Sequence, residues 1–509
     1  VTGRLWIDEQ TAASGAMARI AAELQLPRCG RDGMPKAGDA VIMFRRPRRE
    51  RAAAERGFDA GVWLMDGRPG LDPDDIGQMR LAGVRFDPSV AGGEAAAEGS
   101  DGHAGAAGGV RLFEVPVFHL QPLAVRRVGP GSGLLPADWN GPHPLRRRLE
   151  AAAVKALYAA GRDFGTVLLA AADDGAVRVA GPFGGPAERD LPLWAEAVRA
   201  FRAALAEEAE AEAGRRRELL IGADPEFLLV GPDGRVVSAS RYFPRDGAAG
   251  SDALRVRGRL RCPVAELRPD PAPDPAGLMR GIRGLMRRAE AMTAEAGRPL
   301  RWLAGGMPVP GFALGGHLHL NVPPSARLLR VLDSCVALPL AAAEDARALR
   351  RRPRYGALGD FRAKPYGFEY RTPPSWLVSP LAAQAAFAAA LLAAGHTALL
   401  AALTGLPSET EAGRRAYYEG DRDALRAIAR RVHDAMRRVP GYASHRRWIA
   451  PFFAALEREA VWREEADIRP KWGLSVRNGD GGGNTGADGD RTGSRWPPPS
   501  TGAAASPGR

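Results

Sequence analysis

The chain has 509 residues and a formal net charge of +12, from 71 Lys and Arg against 59 Asp and Glu. Arginines scattered along the chain carry that charge, without the interleaved aromatic stripe of a single-strand binder, so specific nucleic-acid recognition is not expected. Isolated Cys29, Cys262 and Cys335 argue against a disulfide framework or thiolate zinc site, and the lack of a long apolar run or leader pattern predicts a soluble, cytoplasmic protein with no membrane partner.

Length alone suggests about two to four domains. Residues 1–90 mix short apolar runs (Ala40–Phe44, Gly61–Met65) with a helical run near Gly15–Leu24, and read as a small α/β N-terminal domain. Residues 91–109, nearly all Ala, Gly, Glu and Ser, read as a linker or insertion. Residues 110–200 read as a second α/β segment, with apolar runs at Val110–Val117 and Phe164–Ala170 around a helix near Leu149–Ala160. Residues 201–218 carry Glu207, Glu208, Glu210 and Glu212 before Arg215, Arg216 and Arg217, the charge order of a solvated connecting helix, which Gly214 would interrupt. Motif density rises over 219–473, taken as one domain, whereas 474–509 lacks the apolar content to pack and is expected to be disordered.

Within 219–473, four short segments carry polar residues two apart. They are Asp224 and Glu226 in IGADPEFLLV, Glu266 and Arg268 in VAELRPD, His317 and His319 in GGHLHLNV, and Glu369 and Arg371 in FEYRTPP. On a strand such pairs project from one face, roughly 7 Å apart. Acids, histidines and arginines sharing a face suit a metal and anion site of the kind needed to handle a phosphate. For Glu226 alone, a structural salt bridge explains the buried carboxylate as well as a metal does. The HxH pair is the stronger signal, since Gly315 and Gly316 allow close approach before it and Asn321 continues the same face. The other histidines (His103, His119, His143, His396, His433 and His445) are isolated and receive no role.

Asp274 and Pro275 read as the N-cap and first residue of a helix whose apolar stripe, Leu278, Ile282, Leu285 and Met286, is core. The run LLRVLDSCVALPL reads as a packing helix interrupted near Pro339. Arg354, Arg362, Lys364 and Arg371 then cluster among glycines and aromatics, a pattern suited to phosphate or carboxylate oxygens. No GxxxxGK[ST] occurs, so a P-loop is excluded.

The ordered series ADPEFLL, DA, VAELRPDPAPDP, LAGGMPVPGFALGGHLHLN, RRRPRYGALGDFR and GFEYRTPPSWL resembles the phage-type carboxylate–amine ligases of type 2, relatives of glutamine synthetase and glutamate–cysteine ligase. The resemblance implies an α+β fold, a glutamine synthetase-like antiparallel sheet funnel with packing helices, preceded here by the α/β N-terminal region. It implies ATP, with Mg2+ or Mn2+ held by Glu226, Glu266, His317 and Glu369. His319, Asn321 and Lys364 would line the nucleotide site, and Arg371, Arg354 and Arg362 would act on the phosphoryl group or substrate carboxylate. Asp224 matches less strictly. The implied partners are small-molecule or peptide carboxylates and amines, and relatives of this fold often assemble, so a homo-oligomer is compatible. More faintly, Ala153–Phe183 resembles the end of an ATP-grasp fold, but Val179, Ala180 and Gly181 stand where metal ligands belong.

The leading expectation is an ATP-dependent ligase forming an amide through an acyl phosphate. A metal hydrolase or oxygenase built on His317 and His319 is the alternative, although Val322-Pro323-Pro324 stands where a cupin-type site would want a Glu. A non-catalytic nucleotide- or ligand-binding relative is a third.

Overall fold

The computed structural model describes residues 3–13, 15–44, 58–59, 61–91, 110–129, 132–135, 144–212, 218–256, 259–294, 299–352 and 354–475. The Gly/Ala-rich stretch at 92–109 and the tail at 476–509, expected to be a linker and disordered, lie outside the described residues.

The chain begins with β1 (Leu5–Ile7), α1 (Gly15–Glu23), β2 (Ala40–Met43) and β3 (Trp63–Asp66), which form a small parallel sheet in the order β1-β2-β3. Helix α2 (Pro73–Leu81) follows, opened by Pro73 and by a capping box in which Asp72 and Asp75 each accept the other's backbone N–H.

A second sheet comprises β4 (Arg111–Phe118), β5 (Gln121–Pro122), β6 (Arg126–Val128), β7 (Gly133–Leu134), β8 (Phe164–Ala171) and β9 (Val177–Val179), with α3 (Pro144–Ala159) inserted before β8. Its order is β7-β6-β4-β8-β9, with β5 on β4, and each pairing is antiparallel. The two long apolar runs of this segment therefore pair with each other along their whole length, Arg111–Phe118 against Ala171–Phe164. Helix α4 (Leu191–Glu212) leads to the third sheet.

That sheet contains β10 (Ile221–Val230), β11 (Val236–Val237), β12 (Ala249–Val256), β13 (Arg259–Leu267), β14 (Arg301–Leu303), β15 (Gly316–Leu320), β16 (Phe361–Lys364) and β17 (Gly367–Tyr370). Its path β12-β13-β10-β15-β17-β16 is antiparallel throughout, with β11 and β14 added to β10. Alternation decides its faces: Ala223, Phe227, Ala265, Leu267, Leu318, Leu320, Phe368 and Tyr370 enter the core, leaving the intervening polar residues on the other face.

Helices α5 (Pro275–Ala294), α6 (Ala326–Leu332), α7 (Leu338–Ala343), α8 (Pro380–Gly395), α9 (Thr397–Thr404), α10 (Glu411–Glu419), α11 (Arg422–Met436) and α12 (Tyr442–Glu457) complete the chain. Asp274 caps α5 as expected, accepting from Gly277 N–H at 2.8 Å. The interrupted helix consists of α6, a π turn over Asp333–Ala337, and α7, with Pro339 in the first turn of α7 where its missing N–H is harmless. Asp333 in that turn is fully buried and accepts hydroxyl donors from Tyr158 of α3 at 2.7 Å and Tyr370 of β17 at 2.6 Å. With buried Arg330 bridging Asp163 at 2.8 Å and Glu409 at 2.7 Å, this network fastens the second sheet's layer to the third. Removing one partner of such a buried pair costs about 3–5 kcal/mol.

No single helix among the described residues is long and apolar enough to cross a membrane; α8 and α9 pass together on composition, but they meet at 105°. Most of α8 is buried.

Candidate active site

Register assembles the site. Asp224 on β10 lies opposite His317 on β15, Glu226 opposite Glu266 on β13, and His319 opposite Glu369 on β17, with Arg362 of β16 opposite Glu369 in turn. Directly opposed residues share a face, so these side chains form one polar band across the middle of the sheet. Residues far apart in sequence become neighbours only because the strands are antiparallel and in this register.

Asp224 is the hub of the band. Its Oδ1 lies 3.0 Å from His317 Nδ1, and its Oδ2 lies 3.1 Å from His319 Nε2. His317 Nδ1 also lies 3.5 Å from Glu369 Oε1. Tyr366 stacks on His319, and its hydroxyl lies 2.7 Å from His319 Nδ1, which fixes the ring. Glu226 Oε2 accepts the Gly315 N–H at 2.6 Å. Gly315 must be glycine: a Cβ there would meet His317 Nε2 at 2.2 Å, so its bareness lets the imidazole lie across the backbone.

Glu369, only 1% exposed, ends the band and gathers its cations. Lys364 Nζ approaches Oε2 at 2.9 Å, Arg362 reaches the same oxygen at 3.2 Å, and Arg371 Nε approaches Oε1 at 3.1 Å. At the opposite end Arg268 pairs with Glu266.

The electrostatics divide the acids into two groups. Burial, then the charge of Asp224, pushes Glu266 up to about 8 despite Arg268, and burial also raises Glu226. Burial opposes ionisation of Asp224 too, but hydrogen bonding and charge from His317 and His319 hold its carboxyl well below the usual range. Glu369 likewise stays low: burial and Asp224 work against it, and His317, Lys364 and Arg362 outweigh them. Burial would lower His317, yet Asp224 and Glu226 raise it. The band thus holds two acids beside the histidines, Asp224 and Glu369, whose carboxyls are held low, and two on β10 and β13, Glu226 and Glu266, whose carboxyls burial pushes up.

Asn321 and Arg354 fall outside this band. Asn321 follows the last residue of β15 and spends its amide on backbone, accepting from Leu220 N–H at 2.8 Å and donating to Glu218 O at 3.0 Å. Arg354 is exposed, with its guanidinium 5.4 Å from the Tyr355 ring, and lies against a different cavity. Val179 is buried at the end of β9, followed by buried Ala180, so that strand offers no ligand. Two residues given no role in the sequence join the band: Tyr366, and Asp252 of β12, whose position opposite Val264 puts it on the Glu266 face and whose charge raises both Glu226 and Glu266. Period-two alternation in GSDALRV was the available signal for Asp252.

Residues 221–474 match the family described as phage phiEco32-like COOH.NH2 ligase-type 2. The chain belongs to this family. A search of curated proteins found no match for this ligase. Among solved structures it is similar to the ATP-grasp ligase PsnB complexed with precursor peptide PsnA2 and AMPPNP, at 12% identity and TM-score 0.22, over 40% of this chain and 97% of that one. It is also similar to a novel glutamine synthase homolog, at 14% identity and TM-score 0.25, over 54% and 74% of the two chains. Scores this low bear on neither mechanism nor substrate.

The ligase's band fits a divalent cation by its donors. Asp224, His319 and Glu369 each offer a ligand atom, all within 4.8 Å of one another. A carboxylate-rich set with imidazole suits Mg2+ on the acids, and Mn2+ where a histidine takes part.

Proposed function

We propose that the chain is an ATP-dependent carboxylate–amine ligase whose phosphoryl-transfer site is the polar band. A substrate carboxylate oxygen attacks the γ-phosphorus of ATP, ADP leaves, and an acyl phosphate forms. An amine then attacks the acyl carbon, phosphate leaves, and the nitrogen sheds a proton to give the amide.

The observation that carries this reading is the juxtaposition on one face of acids and histidines with three cations gathered on buried Glu369. Glu226, Glu266, Asp224, His317, His319 and Glu369 are the residues that would hold one or more divalent cations. Bound Mg2+ or Mn2+ supplies charge neutralisation for in-line phosphoryl transfer. Arg362, Lys364 and Arg371 present N–H donors beside the acids; once Glu369 turns to a cation, their charges serve phosphate oxygens. His317, biased toward its protonated form by Asp224, is a further donor to an oxygen anion. A metal hydrolase reading uses the histidines but leaves these three cations without a task.

Isotope transfer tests the chemistry. Incubating the intact chain with ATP, Mg2+ and a panel of 18O-labelled carboxylates with amines is expected to release phosphate carrying one label, dependent on both substrates. Unlabelled phosphate accompanying amide formation would contradict an acyl phosphate.

A further inference from the structure

On the far side of β16 from the polar band lies a cavity of about 700 Å³. The alternation of one strand separates the two, since Phe361 and Ala363 line the cavity while Arg362 opposes Glu369 in the band. Its walls come from both halves of the chain. Phe118, Leu120, Pro122, Val154 and Phe201 are contributed by the second sheet's layer, and Pro324, Leu358 and Phe361 by the ligase domain. This volume, with a mainly apolar lining interrupted by polar side chains such as Gln121, Lys155, Arg354 and Asp360, is that of a small-ligand pocket.

Its charged groups are largely accounted for. Glu150 is bridged by Arg146 at 2.8 Å, Tyr158 donates to Asp333 at 2.7 Å, and Lys155 lies in the field of Asp360. His119 Nε2 accepts the Ala326 N–H at 3.1 Å, which requires a neutral ring, and burial together with Arg330 and Arg327 pushes that ring down to about 3. Arg354, at the rim, has no carboxylate within ion-pair distance among the described residues.

A backbone feature points the same way. His119 and Leu120 form the two-residue turn between β4 and β5, with φ of 46° and 67°. Such turns favour Asn and Gly, and left-handed backbone costs other residues roughly 1–2 kcal/mol each. The turn is held by the His119 bond to Ala326 and by packing of His119 on Phe201, ring centroids 4.3 Å apart, and it sets Leu120 in the cavity wall. Strain retained in a cavity wall is characteristic of a binding site.

We infer that this cavity binds a small amphipathic carboxylate, an apolar body seated between the two halves with its carboxylate on Arg354, of the class of a hydrophobic amino acid or a peptide's C-terminal residue. Its assignment as the recognition pocket for one of the ligase substrates rests on the function proposed above; its ligand preference does not. The N-terminal half then has a task, as one wall of a substrate pocket.

Fluorescence titration of dansyl-leucine and of dansyl-leucinamide against the intact chain, without ATP or metal, tests the inference separately from the chemistry. Saturable binding of the acid is expected, with the amide weaker by roughly tenfold, the worth of one charge-assisted hydrogen bond. Arg354→Gln should erase the acid's advantage, and Ala200→Trp, at an exposed position lining the cavity, should abolish binding of both. Ala204→Trp serves in the same way should the first variant fold poorly. No saturable binding, binding untouched by the tryptophan, or an acid-to-amide ratio unchanged by Arg354→Gln would each overturn the inference. Loss of nucleotide binding with dansyl-leucine binding intact would instead count against the phosphoryl-transfer site alone.

Discussion

Glu226 and Glu266 sit directly opposite each other on neighbouring antiparallel strands, with Asp224 and Asp252 close enough to raise Glu266 further. Like charges in that position are destabilising by about 0.2–1 kcal/mol, a penalty relieved by Arg268 beside Glu266, by a retained proton or by a shared cation. Glu266, raised to about 8 from an ordinary value of 4.5, contributes stability that is full below about 4.5 and is lost as pH rises through about 8. Glu266→Gln is therefore expected to change the thermal midpoint of the metal-free protein little at pH 4.5 and to raise it at pH 9. Thermal denaturation of both proteins at the two pH values checks this. Equal effects would mean the carboxyl keeps no proton.

Tyr366 orients His319 through a 2.7 Å contact to Nδ1, leaving Nε2 toward Asp224. Tyr366→Phe is expected to weaken Mn2+ binding by about tenfold or more, as loss of a ligand's supporting hydrogen bond commonly does. Titration followed by electron paramagnetic resonance of free Mn2+ reads the change; unaltered affinity would take His319 out of the ligand set.

Arg371 competes with any cation for Glu369, its Nε being 3.1 Å from Oε1. Arg371→Gln is expected to tighten Mn2+ binding in the absence of nucleotide while lowering kcat by about 100- to 1,000-fold, the scale for losing one donor to a developing oxyanion. Opposite movements of affinity and turnover distinguish this role from mere structural support, which would weaken both.

The strands that carry the band could be read from the sequence, because spacing of two within apolar runs reports which residues share a face without reference to any other strand. Capping preference, a different local signal, places Asp274 and Pro275 at the start of α5. Asp224 was legible as a candidate but not as the hub, since that status comes from lying opposite His317, a pairing between strands 93 residues apart. Asn321 obeyed the alternation and still left the band, because it lies one residue past β15, where the neighbouring backbone groups claim its amide. Arg354 and the cavity it borders depend on the packing of two layers, and neither layer alone contains the pocket.

Away from the band, Glu464 is fully buried and accepts the Gly306 and Met307 N–H groups at 2.6 and 2.8 Å. Burial raises its carboxyl to about 7 in spite of those donors. Its contribution is full below its ordinary 4.5 and is lost as pH rises through about 7, a slope of up to about 1.4 kcal/mol per pH unit. Glu464→Gln should flatten the fall of stability between pH 5 and 8 by that amount, measured by urea unfolding at each pH. An unchanged slope would show that Glu464 is ionised throughout.

The most direct test of the account is calorimetric binding of AMPPNP to the intact chain with and without Mg2+ or Mn2+, compared with Glu226→Ala and His317→Ala. Binding that requires the metal and is lost in both variants is expected if the polar band is the ATP site. Absence of binding, or binding that both variants retain at full strength, would contradict the assignment of that face to phosphoryl transfer.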